Sequence, residues 1–232
     1  TPRTRAVLLN TPGNPAGNMI DHEALASLAA WCRENHLWLV CDEVYSMITF
    51  EREHVSLRRA ASQLDNVIVI DSLSKSHAMT GWRLGWTVSG RDMADRLLAF
   101  TSATVFGCCQ FVQDAAAYAL TNDEAYISEV REQYRERRDY LCQRIEGMEA
   151  LGCVTPEAGM FVMVDVSGTG RDGEAFAREL LDRHGVSVLP GAGFGPGCND
   201  FVRVSLCQPV DVLSPALDRM ERYLHECETE SR

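Results

Sequence analysis

Three short apolar runs, each emptying into polar residues and separated by helical sequence, constrain this chain more than any other feature. Ala6–Asn10, Leu37–Cys41 and Asn66–Asp71 are strand-sized and hydrophobic through their centres. After the first, Asp21 is a good N-cap for a helix to about Asn35, with Leu25, Leu28, Ala29 and Cys32 on one face. Strands alternating with helices in this way predict a mainly parallel sheet covered on both faces. Leu84–Val88 reads as a further strand and Asp92–Phe100 as a helix.

The texture then changes. A long helix is predicted from about Asp123 to Ala150, with Ile127, Val130, Tyr134, Leu141, Ile145 and Met148 on one stripe. Arg131, Glu132, Glu136 and Arg137 are expected to face largely away from it. Strands at Phe161–Val166, Val186–Leu189 and Phe201–Leu206 alternate with helices at Gly173–His184 and Asp211–Cys227. We expect residues 1–122 to belong to one large domain, and residues 123–232 to supply a connecting helix and a smaller α/β domain.

Composition excludes several classes. The 232 residues carry a net charge of −11, which argues against nucleic acid and anionic membranes as partners. No apolar run approaches the ~20 residues of a membrane span. Nine cysteines are scattered without a C-x-x-C or Cys/His cluster, so we expect no metal, reduced thiols and a cytoplasmic location. The adjacent Cys108 and Cys109 read as a buried small-residue pair. The sequence opens on Thr1 without a methionine and reads as the middle of a longer protein.

In open parallel sheets, ligands sit beyond the carboxyl ends of the strands. Successive strands here deliver Asn14, then Asp42 with Tyr45, then Ser72 with Lys75 to that end. Singly, each has an ordinary explanation: a turn, a helix cap, a solvated lysine. Their joint occurrence at one topological position points to a ligand site.

These residues lie in Asn10-Thr-Pro-Gly-Asn-Pro-Ala-Gly17, Asp42-Glu-Val-Tyr45 and Ser72-Leu-Ser-Lys-Ser-His-Ala-Met-Thr-Gly-Trp-Arg-Leu-Gly85. The series resembles the signature of class I/II aminotransferases over essentially the whole chain. The stretches Ser74–Trp82 and Asp182–Leu189 are most similar in wording to the bacterial arginine–pyruvate branch. The resemblance implies fold type I, an α/β architecture. It comprises the later part of a three-layer, mainly parallel large domain and a smaller C-terminal α/β domain. It also implies pyridoxal 5'-phosphate as cofactor, an amino acid and a 2-oxo acid as substrates, and a homodimer. Lys75 would be the Schiff-base lysine and proton carrier, and Asp42 would pair with the pyridine nitrogen. Tyr45 and Asn14 would bond the phenolic oxygen, and Ser72 and Arg83 would hold the phosphate. Relatives carry a substantial segment ahead of the position of Thr1, including backbone phosphate donors and an aromatic that stacks on the ring.

Arg203 lies mid-strand in Phe201-Val-Arg-Val-Ser-Leu206. It reads either as an edge-strand arginine facing water or, by the resemblance, as the clamp on the substrate carboxylate together with Asn14. An arginine among valines needs an anionic partner, which favours the clamp. Gly191-Ala-Gly-Phe-Gly-Pro-Gly197 fails as a dinucleotide cradle because Pro196 occupies its sixth position, and it reads as a loop near the substrate mouth. His77 and the four tryptophans read as packing or interface residues. Another fold type I chemistry, such as a C–S lyase or decarboxylase, remains open, as does a non-catalytic sensor domain.

Overall fold

A computed structural model describes residues 1–230. The chain divides into two compact units: Thr1–Gly13 with Asn18–Arg131, and Asn14–Gly17 with Glu132–Arg232.

The first unit is built on strands β1 (Ala6–Asn10), β2 (Trp38–Asp42), β3 (Val67–Ser72) and β4 (Gly85–Ser89), in that spatial order. β1, β2 and β3 run parallel, while β4 returns antiparallel to β3. Helix α1 (His22–Glu34) starts where expected, with the Asp21 side chain accepting the Ala24 N–H. Leu25, Ala29 and Cys32 of α1, with Leu57 and Ala60 of the short α2 (Leu57–Ala60), close over Leu39, Cys41, Val67 and Val69. These residues are nearly solvent-free, and period-2 alternation explains why only one face of each strand joins them. The second covering layer expected from the sequence is thin, since Leu8 and Ile70 on the other face are 73% and 37% exposed.

The single turn α3 (Leu73–Ser76) follows β3, capped by the Ser72 hydroxyl accepting the Ser74 N–H. Helices α4 (Arg91–Thr104) and α5 (Gln110–Thr121) come next. The second was not anticipated, and Cys108 and Cys109 just before it are exposed rather than buried.

Helix α6 (Glu124–Glu146) is shorter at its end than the sequence suggested, and the division between units falls within it. Arg131 and Arg137 do not face away as expected: their guanidinium groups donate to the Met47 and Leu206 carbonyls, respectively. Arg138 is buried outright and donates to the Pro156 carbonyl at 3.1 Å.

The second unit holds an antiparallel sheet in the order β5 (Gly152–Cys153), β6 (Phe161–Asp165), β8 (Phe201–Ser205), β7 (Leu189–Pro190). Helices α7 (Gly173–His184) and α8 (Val210–Glu230) pack with α6 on the face carrying Val162, Val164, Val202 and Val204. Phe176 and Tyr223 meet edge-to-face at 5.3 Å within that core. The strand expected at Val186–Leu189 reduces to Leu189 and Pro190, the two positions that pair with β8.

Residues Asn14–Gly17 belong to this second unit although the chain on either side belongs to the first. Gly17 explains the docking. Its φ of +67° suits glycine, and a Cβ there would stand 2.3 Å from the Ala158 carbonyl oxygen. The Ala158 N–H in turn donates to the Gly17 carbonyl at 3.0 Å.

Candidate functional site

The first unit gathers Asp42, Tyr45, Ser72, Lys75 and Arg83. Asp42 ends β2, where its partner across the ladder is Ile70 of β3, so residues following the two strands emerge side by side. Asp42 Oδ1 accepts the Val44 N–H at 3.1 Å, turning the chain so that Tyr45 buries its side chain at 4% exposure. Glu43, between them, is 2% exposed. Lys75 stands half-buried in the turn after β3 and is the sole lysine in the sequence.

Ser72, Ser74 and Arg83 line one cleft of about 630 Å³. A close backbone approach helps bring them there. A Cβ on Gly85 would meet the Asp71 carbonyl oxygen at 2.9 Å and the Ser72 Cβ at 3.1 Å, so only glycine lets β4 pair at that register. Arg83, two residues before, has a left-handed backbone at φ +55°. For a residue other than glycine that conformation costs on the order of 1 kcal/mol or more, a kind of strain that collects at ligand sites. Its Nη1 donates to the Thr80 carbonyl at 2.8 Å.

Asn14 and Arg203 meet in the second unit, where Arg203 Nη1 donates to Asn14 Oδ1 at 2.8 Å. The structure therefore groups Asn14 with Arg203. Arg203 sits in β8 between Met163 of β6 and Leu189 of β7, and its buried neighbours Val202 and Val204 point to the opposite face. The Phe161 and Phe194 rings both lie against its guanidinium.

Three features escaped the sequence reading. Asp71, beside Ser72, has its pKa pushed up to about 6, chiefly by burial and further by the charges of Glu43 and Asp42. The Ser72 N–H at 2.7 Å and the Ser46 hydroxyl at 3.3 Å work the other way. His77 is buried as expected but is also polar-partnered. Its Nδ1 lies 2.9 Å from the Ser76 hydroxyl and its Nε2 3.3 Å from Asp123, and its ring stacks on Tyr126. None of the four tryptophans lies fully in the core, and Trp31 and Trp82 are about half exposed at 50% and 45%. Only Asp71 had a usable signal, its place at the end of an apolar run.

The model of the family Aminotransferase class I and II matches residues 1–219. The chain is 42% identical over 220 residues to an arginine–pyruvate transaminase of Pseudomonas aeruginosa, covering 95% of this chain and 56% of that protein. It is 36% identical to a probable N-acetyl-LL-diaminopimelate aminotransferase of Bacillus subtilis, covering 97% and 56%. Among solved structures, the aromatic aminotransferase of Pyrococcus horikoshii superposes with a TM-score of 0.93 at 30% identity, over 98% of this chain and 62% of that one. The aspartate aminotransferase of Thermus thermophilus with maleate gives 0.89 at 33% identity, over 96% and 57%. The chain thus spans a little over half the length of these relatives. With a match running from the first residue through β1 to β8 and into the last helix, this chain belongs to the class I and II aminotransferase family.

Proposed function

We propose that the protein containing this chain is a pyridoxal-phosphate-dependent aminotransferase. It would move the α-amino group of an amino acid to a 2-oxo acid such as pyruvate in two half-reactions. Arginine is the first donor to try, because the relative sharing 42% identity is named an arginine–pyruvate transaminase. We also propose a cytoplasmic homodimer. The carrying observation is that Asp42–Tyr45 and Ser72–Lys75 follow neighbouring parallel strands paired in register.

The donor set suits the cofactor. Two hydroxyls and a guanidinium in one cleft match a phosphate, with Ser72, Ser74 and Arg83 as donors. A carboxylate at Asp42 matches a protonated ring nitrogen, and Tyr45 would donate to the phenolic oxygen. When bound, pyridoxal phosphate supplies an electron sink for negative charge at the substrate Cα. Lys75 Nζ would hold the cofactor covalently at rest, then take the Cα proton and return it one position along. Arg203 and Asn14 would fix the substrate carboxylate, selecting which Cα bond breaks.

Borohydride reduction of the full-length protein, followed by peptide mass mapping, should place the pyridoxyl group on the Lys75 peptide. Alanine should form from pyruvate with arginine as donor. A label elsewhere in the protein would refute the lysine assignment, and keto acid release without alanine would favour another chemistry on this scaffold.

A further inference from the structure

We infer that Phe194 is a positioning residue for Arg203, holding the guanidinium in the orientation that a substrate carboxylate must meet. The inference rests on the reading of Arg203 as the carboxylate clamp and extends it to a residue outside the strand.

An arginine side chain has enough rotatable bonds that a clamp built from it must be held still to be selective. Contacts of two kinds hold this one. Nη1 donates to Asn14 Oδ1 at 2.8 Å, and Cζ lies 3.9 Å from the centroid of the Phe161 ring and 5.1 Å from that of Phe194. Phe161 is part of the rigid sheet. It pairs with Ser205 in β8, so it sits diagonally from Arg203 on the same face, where large side chains meet. Phe194 arrives differently, from the glycine-rich turn between β7 and β8.

That turn has a fixed root. A Cβ on Gly191 would stand 2.3 Å from the Cys198 carbonyl oxygen and 2.7 Å from that of Phe201, so the backbone there is seated against the approach to β8. Around the ring itself the backbone is open: added Cβ atoms at Gly193, Gly195 and Gly197 would meet nothing within 4 Å. Gly195, at φ +128°, adopts a conformation that side-chain-bearing residues avoid. A rooted turn of small residues thus carries one large side chain, and that side chain lies over the guanidinium. The ring face attracts the cation and removes it from water on that side, without competing for the N–H groups a carboxylate needs.

The test uses full-length protein loaded with cofactor and propionate as the probe, a carboxylate without an amine. Propionate dissociation constants would be measured by competition against the amino donor. Guanidinium rotation at Arg203 would be followed by nitrogen-15 NMR, which reads the side chain without turnover. Phe194→Leu, which keeps volume but removes the ring face, should weaken propionate about 5- to 20-fold and speed guanidinium rotation. Phe194→Tyr, which restores a ring, should return affinity to within about 2-fold of the parent, the scale of a retained ring face. A purely space-filling role would be served as well by leucine as by tyrosine, so equal behaviour of the two variants overturns the inference. Arg203→Lys separates this from failure of the underlying reading. If that variant loses propionate affinity while Phe194→Leu does not, only the role of Phe194 falls. If Arg203→Lys binds propionate normally, the clamp falls and this inference with it.

Discussion

His54 Nε2 stands 3.4 Å from Glu43 Oε2, both side chains almost wholly buried, while Glu43 Oε1 accepts the Leu57 N–H at 2.7 Å. The His54 contact is at ion-pair distance but off hydrogen-bond geometry, so the Leu57 bond is the better-formed of the two. Together they tie the turn that carries Asp42 and Tyr45 to the first residue of α2. Glu43→Leu would strand a buried N–H and a buried imidazole, and should cost about 2–4 kcal/mol in urea unfolding. Glu43→Gln keeps an acceptor and should cost roughly half as much. Equal losses in the two variants would mean that the acceptor is not what matters.

Asp42→Asn should retain cofactor but lose turnover. The substitution preserves shape and the turn to Val44, and removes the charge proposed to face the ring nitrogen. One such electrostatic interaction is typically worth ~3–4 kcal/mol in the transition state, or at least about 100-fold in rate. Cofactor absorbance after dialysis and single-turnover rates would separate binding from chemistry. Near-normal turnover would remove Asp42 from its proposed role.

Asp71 makes stability depend on pH in a defined direction. Its folded pKa of about 6 lies above the ordinary carboxylate value of 3.8, so the folded chain binds the proton more tightly than the unfolded one. Stability linked to this group is therefore full below pH 4 and is lost as pH rises through 6. Asp71→Asn keeps an acceptor for the Ser72 N–H and removes the buried charge. It should match the parent near pH 4 and exceed it by about 1–2 kcal/mol above pH 7, after allowance for solvent screening. Thermal midpoints of the cofactor-free chain across that range would check the sign, and a gain at low pH would contradict it.

The 232 residues alone should associate. Helix α4 has no buried residue, and Phe100, Phe106, Phe111 and Tyr118 are 67%, 93%, 69% and 71% exposed. Apolar side chains at that density make a contact surface. Sedimentation of the isolated chain should therefore show concentration-dependent association, reduced in the double variant Phe106→Lys with Phe111→Lys. Monodisperse monomer at every concentration would count against this.

Much of the architecture was legible because it follows local rules. Asp21 announced α1, and the three apolar runs located β1, β2 and β3 to within a residue. Helix α5 was invisible for a physical reason: Cys109 caps it without a side-chain bond, and only Val112 and Ala116 are buried, so neither a start signal nor a stripe existed. Val186–Leu189 looked like a strand because β propensity is local, whereas pairing depends on what lies beside it. The site divides the same way. Lys75, Asp42 and Arg83 could be proposed from the sequence because the implied chemistry calls for those residue types. The elevated Asp71 and the contact of Phe194 with Arg203 arise only once distant segments are packed, and no spacing rule encodes them.

The seating of Gly17 against Ala158 bears on how the protein can be taken apart. Because four residues near the start are grouped with the second unit, no single cut yields two whole pieces. A fragment cloned as 132–232 would carry Arg203 without Asn14, its 2.8 Å acceptor. Carboxylate affinities measured on such a fragment would understate the clamp proposed at Arg203. The missing contact belongs to the segment Asn14–Gly17, not to anything nearer in the sequence.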